Sequence, residues 1–144
     1  MNRKMAFLAS LTAVVVMALA PVTRAADTAA AAQPSTDRVI SHADLKKILA
    51  QPDGAVILDL RRNADYDKDT LTMPASRRFN PDKIADWSGA LPKDKEILVF
   101  CAHGRSISDA SVNYLTKNGY KARLVAGGFD TWKAAGGATV PKAQ

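Results

Sequence analysis

Glu96-Ile-Leu-Val-Phe-Cys101-Ala-His-Gly-Arg-Ser106 is the stretch that decides how this chain folds. Glu96 to Phe100 is a short, almost continuous apolar run, the pattern of a strand buried on both faces of a parallel sheet. From Ser106 to Lys117 the pattern is helical, and Asn118-Gly119 stops it. Cys101 to Arg105 therefore lie in a strand-to-helix connection, at the carboxyl end of a strand, where open α/β sheets collect ligands.

Reading outward, Ala55 to Leu60 is a second buried strand, preceded by the turn Pro52-Asp53-Gly54 and running into Asp59-Leu60-Arg61. Upstream, Val39-Ile40 is a short strand, and Ser41-x-x-Asp44 is a capping-box-like start to a helix carrying Leu45, Ile48 and Leu49. Downstream, Ala122 to Val125 is a strand leading to Gly127-Gly128 and a last helix from about Phe129 to Ala135, closed by Gly136-Gly137. Between the two long strands, residues 63 to 74 are polar and turn-rich, 77 to 80 return to the sheet, and a short helix spans about Asp82 to Trp87. Strands alternating with helices predict an α/β domain: one open parallel sheet of about five strands flanked by helices, over residues 38–144.

The N-terminus reads differently. Asn2-Arg3-Lys4 followed by the apolar run Met5 to Ala20 has the layout of a secretory leader, and Thr23-Arg24-Ala25 supplies the small residues of a cleavage site after Ala25. The run is too short for a membrane span of roughly 20 apolar residues, and Pro21 closes it. Residues 1–25 are thus expected to be a removed signal peptide, which places the protein in the periplasm or otherwise outside the cytoplasm without stable membrane association. Residues 26–37, alanine-rich with Pro34, lack the large apolar side chains of a core and read as a flexible linker.

Removing Arg3, Lys4 and Arg24 lowers the formal charge from +6 to +3. The remaining basic residues are scattered among aspartates, which argues against nucleic acid as a partner. With one cysteine and with His42 and His103 far apart, no metal-ligand spacing is present, and neither a metal nor another cofactor is expected. His42 beside the helix start reads as structural, as do Trp87, Phe129 and Trp132, while Arg61-Arg62 and Arg77-Arg78 read mostly as solvated charge.

A lone thiol in an oxidising compartment has no partner within its chain, so Cys101 must be shielded or used. Its setting favours use. The N–H groups of a short loop entering a helix can converge on the Cys101 sulfur, and the helix start adds partial positive charge. Gly104 suits the positive φ of a tight cradle, Ser106 with Asp109 suits a helix cap, and Arg105 adds a full positive charge. A cysteine phosphatase would need its arginine where Ile107 stands.

At this point the residues resemble a family. Cys101 to Ser106 is similar to the six-residue loop, Cys-x-x-Gly-x-Ser/Arg, of single-domain rhodanese-like sulfurtransferases. Asp59-Leu60-Arg61 resembles the family's Asp-x-Arg strand end, and Gly127-Gly128-Phe129-x-x-Trp132-x-x-x-Gly136 its closing motif. Two departures stand out: Thr72-Met73-Pro74-Ala75-Ser76 replaces the usual His-Ile-Pro-Gly-Ala turn, and Ala102 replaces a basic residue.

The resemblance implies an enzyme of the thiosulfate sulfurtransferase type. Cys101 would take a sulfane sulfur from thiosulfate or a related small anion, become a persulfide, and pass the sulfur to a thiol, cyanide or a protein acceptor. Ala102, His103, Gly104, Arg105 and Ser106 would bind substrate around it. His103 and Arg105 either face the donor or serve the loop and solvent; Arg61 either helps bind the donor or holds the loop by a salt bridge. Asp59 is expected to brace Arg61 or nearby backbone. A monomer is expected. Two other readings stay open: a persulfide carrier that turns over only with a partner protein, and an inactive interaction domain.

Overall fold

A computed structural model describes residues 36–51 and 53–143. The expected signal peptide lies outside the described residues, as does the expected linker except for its last two residues. Those two begin a 3-10 turn, Thr36–Arg38, that leads directly into β1, Val39–Ile40. The Arg38 guanidinium donates to Asn113 Oδ1 at 2.8 Å, which ties this entry to the helix following Cys101.

The elements then follow as α1 (His42–Leu49), β2 (Ala55–Asp59), α2 (Asn63–Asp67), β3 (Leu71–Thr72), β4 (Ser76–Arg78), α3 (Ile84–Ser88) and β5 (Glu96–Phe100). After the cysteine loop come α4 (Ser106–Lys117), β6 (Lys121–Val125), α5 (Gly128–Ala134) and β7 (Val140–Pro141). Five strands form one parallel sheet in the order β1-β6-β5-β2-β4, which puts β5 in the centre. This is the expected parallel α/β architecture. A small antiparallel pair, β3 with β7, was not expected from the sequence; Lys142 extends it by donating its N–H to the Thr70 carbonyl.

Alternation along the strands builds two cores, one on each face of the sheet. Leu58, Ile97, Val99 and Leu124 pack with Val112 and Leu115 of α4. Ile57, Leu98, Phe100 and Val125 pack with Leu45 of α1 and with Phe129 and Trp132 of α5. Ile97, Leu98, Val99 and Phe100 are all fully buried, so β5 is anchored on both faces immediately before Cys101. Each such side chain contributes about 1.5–3 kcal/mol relative to exposure.

Local rules explain the helix starts, with one correction. Ser41 caps α1 as expected: its hydroxyl accepts the Asp44 N–H at 3.1 Å and donates to the Asp44 carboxylate at 2.8 Å. Ser106 does not cap α4. The cap position belongs to Arg105, Ser106 is the first helical residue, and no side chain hydrogen-bonds to the open N–H groups of that first turn. The capping-box reading fails because the helix begins one residue earlier than a Ser106 cap requires.

The stretch read as turn-rich, residues 63–74, also contains more structure than expected, namely α2 and β3. Its polarity misled the reading because α2 buries none of its residues and β3 has only two.

Candidate active site around Cys101

Cys101 is a free cysteine, 4% exposed, at the carboxyl end of the central strand β5. The loop that follows is held from the other side by the start of α5. Phe129 donates its N–H to the Cys101 carbonyl at 2.8 Å, and Asp130 donates its own to the Ala102 carbonyl at 3.0 Å. These two bonds tie the first two residues of the loop to the start of α5. Gly104 has φ +63°, as expected of a tight cradle, and abuts Gly128, whose φ is +66°.

The sulfur opens into a shallow depression of about 140 Å³ lined by Cys101, Ala102, His103, Arg105 and Ser106, together with Arg62 and Asp65. Ala102 is buried, while His103, Arg105 and Ser106 are exposed. Both Arg105 and His103 thus stand where an anion approaching Cys101 would pass, and Arg62 joins them.

Arg61 is elsewhere. It is 1% exposed and its guanidinium grips Asp59, with Nε to Oδ1 at 3.0 Å and Nη2 to Oδ2 at 2.6 Å. Asp59, fully buried, also accepts the Arg61 backbone N–H at 3.1 Å and the Thr72 hydroxyl at 2.9 Å. The guanidinium carbon lies 4.3 Å from the centre of the Phe129 ring. One buried ion pair therefore links the end of β2 to the residue that holds the Cys101 carbonyl, and Arg61 does not line the Cys101 depression.

Of the two alternatives the sequence leaves open for Arg61, donor contact or a salt bridge, the salt bridge to Asp59 is the contact it makes, while Arg62, read with Arg61 as mostly solvated charge, lines the Cys101 depression. Successive side chains on extended backbone point to opposite sides, and Arg62 is extended, with φ −62° and ψ 157°. Once Arg61 turns inward to Asp59, Arg62 must turn out toward the cysteine. The bracing of Arg61 by Asp59 is the contact expected of the Asp-x-Arg motif, and the outward turn of Arg62 follows from it.

Two aspartates were also missed. Asp130 sits 2.9 Å from His103 Nδ1 and orients an exposed imidazole at the loop's mouth. Asp69 reaches Lys133 and accepts the Leu71 N–H at 3.0 Å. Partial burial pushes the Asp69 carboxyl up, but the Lys133 ammonium, the Leu71 N–H and the Arg61 charge together hold it below the usual range. His42, read as structural, hydrogen-bonds the Ala126 carbonyl at 2.7 Å and packs edge-on against Trp132.

Known proteins resemble this chain in sequence and fold. The model of the rhodanese-like domain matches residues 41–135. The thiosulfate sulfurtransferase GlpE of Coxiella burnetii is 31% identical over 96 residues, covering 66% of this chain and 86% of that protein. A rhodanese-related protein from Thermoplasma volcanium has a TM-score of 0.64 at 27% identity, covering 73% of this chain and 99% of that one. A rhodanese-like domain protein from Staphylococcus aureus has a TM-score of 0.60 at 26% identity, covering 74% and 99%. With its parallel sheet, its cysteine loop at the end of the central strand and these relatives, the chain belongs to the rhodanese-like domain family.

Proposed function

We propose that this chain is a sulfurtransferase that moves a sulfane sulfur from thiosulfate, or a related small anionic donor, to a thiol, cyanide or protein acceptor through a persulfide on Cys101. The observation that carries this reading is the placement of Cys101, a nearly buried thiol at the end of the central strand opening into a small depression flanked by Arg62, His103 and Arg105. About 140 Å³ suits a small anion better than a bulky one.

The chemistry follows from the loop. The Cys101 thiolate attacks the outer sulfur of thiosulfate, the S–S bond to the sulfonate breaks, and sulfite leaves with the bonding electron pair. Cys101 keeps one extra sulfur as a persulfide anion. The start of α4, uncapped by any side chain, offers unpaired N–H groups beside the loop that favour the negative charge of the persulfide. Arg62 and Arg105 attract the dianionic donor, and of the two alternatives open for Arg105 and His103 this reading takes contact with the donor.

Arg61 acts as a positioning residue through Phe129. Sulfite release from thiosulfate in the presence of cyanide, absent in Cys101→Ser, tests the reading. We further propose that residues 1–25 are removed on export and that the mature protein works as a monomer outside the cytoplasm. N-terminal sequencing of the exported protein should then begin at Ala26.

A further inference from the structure

Helix α2 carries Arg62 at its cap position and Asp65 in its first turn, and both residues line the Cys101 depression. Its own sequence does little to hold it in place. It has five residues, buries none of them and starts without a side-chain cap. A helix this short is marginal in isolation, so its position depends on contacts from elsewhere in the fold.

Those contacts converge on Tyr66. The Arg61 guanidinium, just past β2, stands 5.0 Å from the centre of the Tyr66 ring, that of Arg78, the last residue of β4, at 4.6 Å, and the Lys142 ammonium, just past β7, at 3.9 Å. Cations gather on an aromatic face because the ring's quadrupole is negative there. Three strand ends therefore meet on one side chain of α2. Arg61 also has its buried partner in Asp59, and Arg78 also donates to Asn63 Oδ1 at 2.9 Å.

Lys142 has the most direct line to the depression. Its Nζ donates to the Tyr66 carbonyl at 2.6 Å, and Tyr66 in turn donates its N–H to the Arg62 carbonyl at 2.8 Å. The backbone that presents Lys142 is fixed: its N–H donates to the Thr70 carbonyl at 3.0 Å, and Leu71 pairs with Pro141 and Thr72 with Val140.

We propose that Lys142 and Tyr66 are positioning residues for the active site: the carboxyl-terminal strand straps α2 and so sets where the Arg62 guanidinium stands at the mouth of the Cys101 depression. Neither residue lines that depression. The consequence for donor capture rests on the function proposed above, whereas the placement of Arg62 does not. Without the Lys142 ammonium, α2 loses a bond to its backbone and one of the cations on its ring. The Arg62 charge then spreads over more positions, and the positive field at Cys101 weakens.

The test reads that field without sulfur transfer, as the ratio of the second-order rates at which iodoacetate, an anion, and iodoacetamide, its neutral analogue, alkylate Cys101 in the full chain. In both reactions the Cys101 thiolate attacks the methylene carbon and iodide leaves with the bonding electron pair. Lys142→Met, which keeps an apolar stem and loses the charge, should lower the iodoacetate-to-iodoacetamide ratio by about threefold. Lys142→Arg can donate to the same carbonyl and stack on the same ring, and should restore the ratio. In an Arg62→Ala background Lys142→Met should change it by less than about 1.5-fold. A ratio unmoved by Lys142→Met would overturn the inference, as would a drop that persists undiminished without Arg62, since Lys142 would then act through its own charge. KM for thiosulfate, measured alongside, should rise in Lys142→Met while kcat holds. If Cys101 takes no sulfur from thiosulfate, the function proposed above fails and the alkylation ratio still decides the strap. If Cys101 loads and the ratio does not move, the strap alone fails.

Discussion

Gly104 and Gly128 meet backbone against backbone, both at positive φ, where the cysteine loop touches the start of α5. A Cβ on Gly104 would lie 2.8 Å from the Gly127 carbonyl carbon, and one on Gly128 would lie 2.7 Å from the Ala102 carbonyl oxygen. Neither neighbour is a flexible side chain that could move aside. The loop keeps its shape because these two residues have no side chains.

Gly104→Ala and Gly128→Ala should therefore each destabilise the fold by about 2–4 kcal/mol and spread the loop, with a loss of sulfur transfer out of proportion to the loss of folded protein. Gly89→Ala, at a site with nothing within 4 Å, is the control and should stay within about 0.5 kcal/mol of the parent. Urea unfolding together with sulfite release checks all three.

The Asp59–Arg61 pair predicts a stability effect with a characteristic asymmetry. Asp59→Ala leaves a buried guanidinium without its partner and should cost about 3–5 kcal/mol. The double replacement Asp59→Leu with Arg61→Met should cost less than Asp59→Ala alone, since no unpaired charge remains. Equal or additive losses in a double-mutant cycle would contradict this account of the pair.

Donor capture predicts a different signature. Arg105→Ala should raise KM for thiosulfate by about tenfold with a smaller change in kcat, and Arg62→Ala should act in the same direction. Rising salt should weaken the parent more than a variant combining Arg62→Ala and Arg105→Ala, because screening removes attraction that this variant has already lost. Steady-state kinetics across ionic strength measures both.

Asp69 predicts a specific acid sensitivity. Its carboxyl is held below the unfolded value of 3.8, so the stability it contributes is present above about pH 4 and is lost as pH falls through the folded value. Asp69→Asn should lower the urea midpoint near pH 7 and flatten its decline in acid. A variant whose midpoint falls in parallel with the parent's below pH 4 would show that Asp69 contributes nothing to that decline.

Much of this molecule was legible in the sequence for a physical reason: β2 and β5 are apolar apart from one terminal charge each, Asp59 and Glu96, as suits short strands buried on both faces. The turn at Gly104 and the cap at Ser41 follow from backbone chemistry within a few residues. What escaped notice depends on long-range placement. The pair β3 and β7 has two-residue strands far apart in sequence, too short for any periodicity. His103 and Asp130 come from different motifs and meet only because α5 docks against the cysteine loop. Arg62 joins the Cys101 depression because one buried partner, Asp59, decides that Arg61 is the side chain that turns inward.

The most direct test of the central claim is the intact mass of the protein after incubation with thiosulfate and removal of the excess. The account predicts a species heavier by one sulfur atom, reversed by cyanide and absent in Cys101→Ser. An unchanged mass in the parent protein, or the same gain in Cys101→Ser, would contradict it.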